Sequence, residues 1–77
     1  YISIRMTPEQ CRMARAGLRL GAQELADLAQ VSYPTLNRFE KGEKIAADSL
    51  LRIEAALLRA GAQFVRRSGR IGATVPE

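Results

Sequence analysis

The sequence predicts an all-α fold, a compact bundle of four or five helices. Two observations predict it: apolar residues recur at helical spacing in four successive segments, and Thr, Ser and Gly residues stand where helices begin and end. The length of 77 residues suits one domain. We divide the chain into an N-terminal extension (1–6), a helical domain (7–60) and an extended basic C-terminal segment (61–77).

The first two helices are marked by the residues at their amino-terminal ends. Thr7 and Gln10 form a capping box and Pro8 fits the first helical position, so the first helix runs to about residue 18. Its apolar residues are Cys11, Ala14 and Leu18. Gly21 is an acceptable cap for the second helix. The apolar face of that helix is expected to consist of Leu25, Leu28 and Ala29.

The third and fourth helices follow with similar signals. Ser32 caps the third helix and Gly42 can take the left-handed conformation that stops it. Its buried side chains are expected to be Leu36 and Phe39. The fourth helix begins at Ala47 or Asp48 and is broken by Gly61. Its apolar stripe consists of Leu50, Ile53 and Leu57.

Both ends of the chain depart from this helical pattern. Beyond Gly61, apolar residues alternate with arginine around Ser68–Gly69, which predicts either two short strands with a turn or a disordered basic tail. Residues 1–5 precede Met6, where the sequence looks like a natural start. They are either upstream chain or a short strand.

Composition argues against several classes of function. With one cysteine, Cys11, and no histidine, the chain cannot form an internal disulfide, a structural zinc site or a histidine-based triad. Carboxylates are spread along the sequence without an acid–base constellation, so we expect no enzyme, catalytic residue, cofactor or metal. No apolar run is long enough to cross a bilayer and no signal peptide is evident. We expect a cytoplasmic protein without membrane contact.

The charge balance favours a nucleic-acid partner. Twelve Lys and Arg residues against eight Asp and Glu residues give a net charge of +4, and ten of the cations are arginine. The planar guanidinium group of arginine can donate two hydrogen bonds to a phosphate or to the edge of guanine. Alternatively, a basic surface can serve only to keep the protein soluble. The one basic cluster is Arg66, Arg67 and Arg70. It either adds phosphate contacts or keeps the C-terminal segment soluble.

The second and third helices are joined by about three residues, between Ala29 and Ser32. So short a turn makes two helices cross steeply, which is the helix-turn-helix unit. In that unit the second helix lies in the major groove. With the buried side of the third helix (33–41) assigned to the core, its outward side chains are Tyr33, Pro34, Asn37 and Arg38. Asn can pair with adenine, Arg with guanine, and Tyr or Pro can contact a thymine methyl.

The stretch "QELADLAQVSYPTLNRFEKGE", with the later "SLLRIEAAL", resembles the lambda-repressor-like helix-turn-helix proteins of bacteria and their phages. The resemblance covers roughly Thr7 to Leu58, and the ending "RAGAQFV" is similar to small bacterial members that continue into a short extended segment. It implies a helical bundle that binds duplex DNA and regulates transcription.

The resemblance also implies roles for individual residues. Its base-reading positions fall on the same outward residues of the third helix, and its structural ion pair falls on Arg15 and Glu40. The expected phosphate contacts are Gln23, Ser32, Thr35, Lys41 and Lys44. Gln23 is expected to replace the family's usual glutamine, because Ala22 stands at that position. Gln30 replaces the usual turn glycine and must take or avoid a positive φ.

A second apolar stripe on the fourth helix makes a candidate dimer face. It consists of Leu51, Ala55 and Leu58. Repressors of this kind usually bind two half-sites as dimers, so we expect a homodimer on a two-fold operator. Alternatively, the segment after Gly61 folds back and covers the stripe. A different class of function also remains: the same fold as a protein-interaction module, an antitoxin or adaptor, with weak or no DNA binding.

Overall fold

The computed structural model of the chain describes residues 6–77. Its elements, in chain order, are α1 (Pro8–Gly17), α2 (Ala22–Ala29), α3 (Tyr33–Glu40), α4 (Ala47–Arg59), β1 (Gln63–Arg67) and β2 (Arg70–Thr74). Apart from Met6, the predicted N-terminal extension lies outside the described residues.

The helices begin where local hydrogen bonds favour them. At α1, the Thr7 hydroxyl accepts from the Gln10 amide while the Gln10 side chain accepts from the Thr7 amide, both at 3.1 Å. This capping box satisfies two amides that the first helical turn leaves without partners. At α3, Ser32 accepts from the Thr35 amide. Gly21 precedes α2 without a side-chain cap, and Glu24 instead accepts from its amide at 2.7 Å.

One core joins the four helices. Its fully buried large side chains are Cys11, Leu25, Leu36, Ile53 and Leu57, together with the polar Gln10. Phe39 lies at the edge of this core, and Ala14, Ala26, Ala29 and Ala56 allow the short helices to approach closely. Helix α2 packs against both α3 and α4, and α1 packs against α3 and α4.

The two strands form an antiparallel hairpin that packs against α1. The turn residues Ser68 and Gly69 have φ values of 51° and 75°. Positive φ at both central residues matches the twist of paired strands, and it is characteristic of type I′ hairpin turns. Gln10, on α1, donates from Nε2 to the carbonyl oxygens of Val65 (3.1 Å) and Gly72 (3.0 Å), so one helical side chain bridges both strands.

The all-α prediction is therefore wrong, because the described chain contains four helices and a two-stranded antiparallel sheet. A two-stranded hairpin alone is marginal in water, and its stability here depends on packing against a distant helix. Phe64, Ala73 and Val75 pack against the core. The alternative of a disordered basic tail is wrong for the same reason.

Candidate nucleic-acid interface

The connection between α2 and α3 consists of Gln30, Val31 and Ser32. Gln30 takes the left-handed conformation (φ 58°, ψ 42°), which turns the chain sharply at the end of α2. A non-glycine residue in this conformation costs roughly 1 kcal/mol. The Val31 amide donates to the Ala26 carbonyl at 3.0 Å, and the Arg52 side chain donates to the Gln30 carbonyl at 3.3 Å. Hydrogen bonds from both sides therefore hold the turn.

The outward side of α3 carries the four residues predicted to read bases. Tyr33 is 43% exposed, Pro34 and Arg38 are exposed, and Asn37 is half-buried. Leu36 and Phe39 occupy the opposite side of the helix, in the core. Pro34 lies in the first turn, where the missing amide hydrogen is tolerated.

No hydrogen bond joins the side chains of Tyr33, Asn37 or Arg38 to any other residue between 6 and 77. Each carries donors or acceptors that match base edges: the Asn37 amide and the Arg38 guanidinium can each make two hydrogen bonds. A ligand can therefore bind these side chains without breaking an internal side-chain hydrogen bond.

The residues predicted to contact phosphate differ in their availability. Lys41 and Lys44 are exposed in the segment after α3. Ser32 and Thr35 bond to each other through their hydroxyls at 2.8 Å. Gln23 donates to the Asp27 carboxylate at 2.9 Å, one turn further along α2, so its amide group already has a partner.

Arg15 and Glu40 form the ion pair at the contact of α1 with α3. Arg15 Nε and Nη2 each lie 2.9 Å from a different oxygen of the Glu40 carboxylate. The hydrogen bond to Glu40 raises the pKa of Arg15 above its ordinary value. Arg15 Nη1 also donates to the Leu20 carbonyl. This bidentate pair fixes the end of α3 on α1.

Two further residues join this network that sequence reasoning did not include. The Cys11 thiol donates to Glu40 Oε2 at 3.3 Å, and an Arg12 guanidinium nitrogen donates to the Glu40 carbonyl oxygen. Burial, followed by the nearby Glu40 carboxylate, raises the pKa of Cys11, which keeps the thiol protonated. The available signal was spacing, because Cys11 lies one helical turn before Arg15 and therefore on the same side of α1.

The candidate dimer face of α4 is open to solvent. Leu51 is 53% and Leu58 38% exposed, with Ala55 half-buried between them. Because Leu51 and Leu58 are exposed and the hairpin packs on α1, the alternative that the segment after Gly61 covers this stripe is wrong.

The prediction that Leu28 is buried is wrong. This residue was assigned to the buried face of α2, yet it is 53% exposed. It borders a groove of about 360 Å³ whose other lining residues include Leu51, Ala55 and the arginines Arg52 and Arg59. The apolar surface therefore spans two helices rather than one.

None of the helices between residues 6 and 77 is long and apolar enough to cross a bilayer. No protein family model matches the chain, and no curated protein matches its sequence.

Proposed function

We propose that this chain is a transcriptional regulator that binds duplex DNA sequence-specifically through α3. The observation that carries the proposal is the division of this helix into two faces. Leu36 and Phe39 hold one face in the core, while the side chains of Tyr33, Asn37 and Arg38 on the other face make no hydrogen bond within residues 6–77. A short, capped helix held in this way can enter the major groove without rearrangement.

Each outward residue has a role that follows from its chemistry. Arg38 pairs with the O6 and N7 acceptors of guanine, and Asn37 pairs with the N6 and N7 groups of adenine. Tyr33 and Pro34 make apolar contact with thymine methyl groups. Lys41 and Lys44, both exposed after α3, hold the phosphate backbone. Ser32, Thr35 and Gln23 add hydroxyl and amide contacts to the phosphates beside these groups.

The regulator acts as a homodimer on a two-fold operator, in the cytoplasm. The exposed leucines of α4, Leu51 and Leu58, support this part of the proposal, because contiguous apolar surface on a small domain is typical of an interface. A two-fold dimer presents two copies of α3 to successive major grooves, one helical turn apart.

A binding titration that compares Arg38→Gln with Lys44→Gln tests the proposal. A base contact and a phosphate contact have different signatures, although each variant loses one positive charge. We expect Arg38→Gln to cost roughly 1–3 kcal/mol on the preferred sequence and to relax the preference at one base pair. We expect Lys44→Gln to weaken binding to all duplexes alike and to reduce the salt dependence by about one phosphate contact.

The wild type should itself lose affinity linearly in log–log plots against salt. Wild-type binding that does not depend on salt, or an Arg38→Gln variant that selects sequences as the wild type does, would contradict the proposal.

A second candidate function is a protein-interaction module, an antitoxin or adaptor. The groove between α2 and α4, which combines Leu28 and Leu51, both 53% exposed, with arginine side chains, favours it. Co-purification of a partner protein from native cells, without salt-sensitive retention of DNA, would support this candidate over DNA binding. Loss of the partner in Leu28→Ser and Leu51→Ser variants would assign the partner to the groove.

A further inference from the structure

The tip of the hairpin concentrates positive charge. Arg66, Arg67 and Arg70 surround the two-residue turn, and no Asp or Glu occurs between residues 63 and 74. All three arginines are exposed. Neither Arg67 nor Arg70 has an ion-pair partner among residues 6–77. A surface of this kind is complementary to a polyanion.

The register of the strands brings two of these charges together. Arg67 lies directly opposite Arg70 in the antiparallel pair, at the last position before the turn. Like charges directly across a strand pair are destabilising. A phosphate bound between the two guanidinium groups would relieve this repulsion. Each planar guanidinium group can donate two parallel hydrogen bonds to phosphate oxygens.

The hairpin is held firmly enough to present these arginines in one place. Gln10, which is 2% exposed, donates to both strands at Val65 and Gly72. Val75 packs beside Gly17, where a β-carbon would lie only 2.9 Å from it. These contacts attach the strands to α1 along most of its length, so the tip is the end of an ordered hairpin.

The same contacts show where the tip lies. Gln10 is near the start of α1 and contacts Gly72, whereas Gly17 ends the helix and contacts Val75. β2 therefore runs along α1 in the same direction, and Arg70, two residues before Gly72, lies towards the start of α1.

The segment that follows α3 reaches this end of α1 as well. Pro8, at the start of α1, lines a cavity of about 570 Å³ together with Gly42, Glu43, Lys44 and Ile45. Lys44 and the hairpin arginines are thus basic residues from distant parts of the sequence that lie towards the same end of one helix. Glu9 and Glu43 are exposed carboxylates at that end, and Glu9 lies 4.0 Å from Arg12 in an exposed ion pair. The buried carboxylate of Glu54 accepts from the Met6 amide there.

We propose that the hairpin tip, through Arg67 and Arg70, binds the sugar-phosphate backbone of the duplex beyond the segment contacted by α3. The proposal rests on the proposed function, and it extends the protein's contact with DNA to a second element. The contact is independent of sequence, because guanidinium groups on a hairpin tip meet phosphates and no aromatic side chain is present there to stack on bases.

The test is the salt dependence of DNA binding for the single variants Arg67→Gln and Arg70→Gln and for the double variant. Each phosphate contact contributes about 0.9 to the slope of log affinity against log salt. We expect each single variant to lower the slope by about 0.9 and the double variant by about 1.8. Between 50 and 200 mM salt, the affinity of the double variant should therefore fall about tenfold less than that of the wild type. Arg19→Gln, an exposed arginine that follows α1 at the end away from the hairpin tip, is the matched control and should keep the wild-type slope.

The outcomes separate this inference from the proposed function. Absence of salt-dependent DNA binding in the wild type would overturn both. A steep wild-type slope that the double variant shares, with thermal unfolding unchanged, would overturn only the hairpin contact. The hairpin contact would also be overturned if the wild type bound vesicles of anionic lipid, the double variant did not, and both had the same slope on DNA. A reduced slope with an unchanged base preference is the result that supports it.

Discussion

The two faces of α3 use polar side chains in opposite ways. On the side towards α1, Glu40 is 9% exposed and accepts from Arg15 and Cys11, so its charge is satisfied within the fold. On the outward side, the side chains of Asn37 and Arg38 make no hydrogen bond to another residue between 6 and 77. Polar groups with internal partners stabilise the fold, whereas polar groups without them are available to a ligand. Eight residues of one helix thus combine a structural face with the face that we propose binds DNA.

The largest expected effect is on the structural face. Replacing Glu40 by Ala leaves Arg15 partly buried without its carboxylate and removes the acceptor for Cys11. Breaking a buried pair in this way costs about 3–5 kcal/mol of the free energy of unfolding. Urea denaturation measures it. The control Glu43→Ala removes an exposed carboxylate in the neighbouring loop and should change stability by less than about 0.5 kcal/mol. Equal stability of the two variants would mean that the ion pair does not hold α3.

A smaller effect is expected where the hairpin joins α1. Gln10→Ala leaves the Val65 and Gly72 carbonyls without their side-chain donor and breaks the capping box, at a cost of about 2 kcal/mol. Amide hydrogen exchange should become faster in both strands while the core helices stay protected. Gln63→Ala, an exposed glutamine in β1, is the matched control. Unchanged exchange in the strands would show that the hairpin does not depend on Gln10.

The smallest effect concerns Glu54, which is 4% exposed and accepts from the Met6 amide at 3.1 Å. Burial raises the pKa of Glu54 above its ordinary value of 4.5, and the Met6 hydrogen bond offsets part of that rise. A raised pKa means that the folded state favours the protonated carboxyl of Glu54. The stability that this group contributes is therefore fully present below pH 4.5 and is lost as the pH rises through the pKa of the folded state.

Glu54→Gln, which stays neutral, should therefore gain stability relative to the wild type between pH 4 and pH 7. Chemical denaturation at the two pH values measures the change, with exposed Glu43→Gln as the control. The idea fails if the stability difference between Glu54→Gln and the wild type is the same at both pH values.

The sequence predicts those parts of the fold that depend on neighbouring residues. Thr7 and Ser32 cap α1 and α3 through contacts three residues away, which a sequence pattern can express. The hairpin depends instead on Gln10, which is 55 residues from Val65 in the chain. From the sequence alone, two strands and a disordered tail were therefore equal alternatives for the segment after Gly61. The all-α prediction was wrong because this segment forms the hairpin.

Hydrophobic periodicity also did not determine which side chains of a short helix are covered by the core. Leu28 and Leu25 lie on one stripe of α2, but only Leu25 is covered, because α4 leaves a groove beside Leu28. At the candidate site, the outward side chains of α3 could be predicted from the sequence, because that prediction required only that Leu36 and Phe39 be buried. The participation of Arg12 and Cys11 in the Glu40 network depends on the position of α1 relative to α3, which no pattern within α3 contains.

The central claim is that the outward face of α3 reads bases while its inner face holds the fold. Selection of bound duplexes from a random pool, by the wild type and by Asn37→Ala, tests it most directly when thermal unfolding is measured on the same samples. We predict that the wild type enriches a two-fold sequence and that Asn37→Ala loses the preference at one adenine in each half-site, with stability changed by less than about 0.5 kcal/mol. Enrichment of the same sequence by both proteins, or of none by the wild type, would contradict the claim.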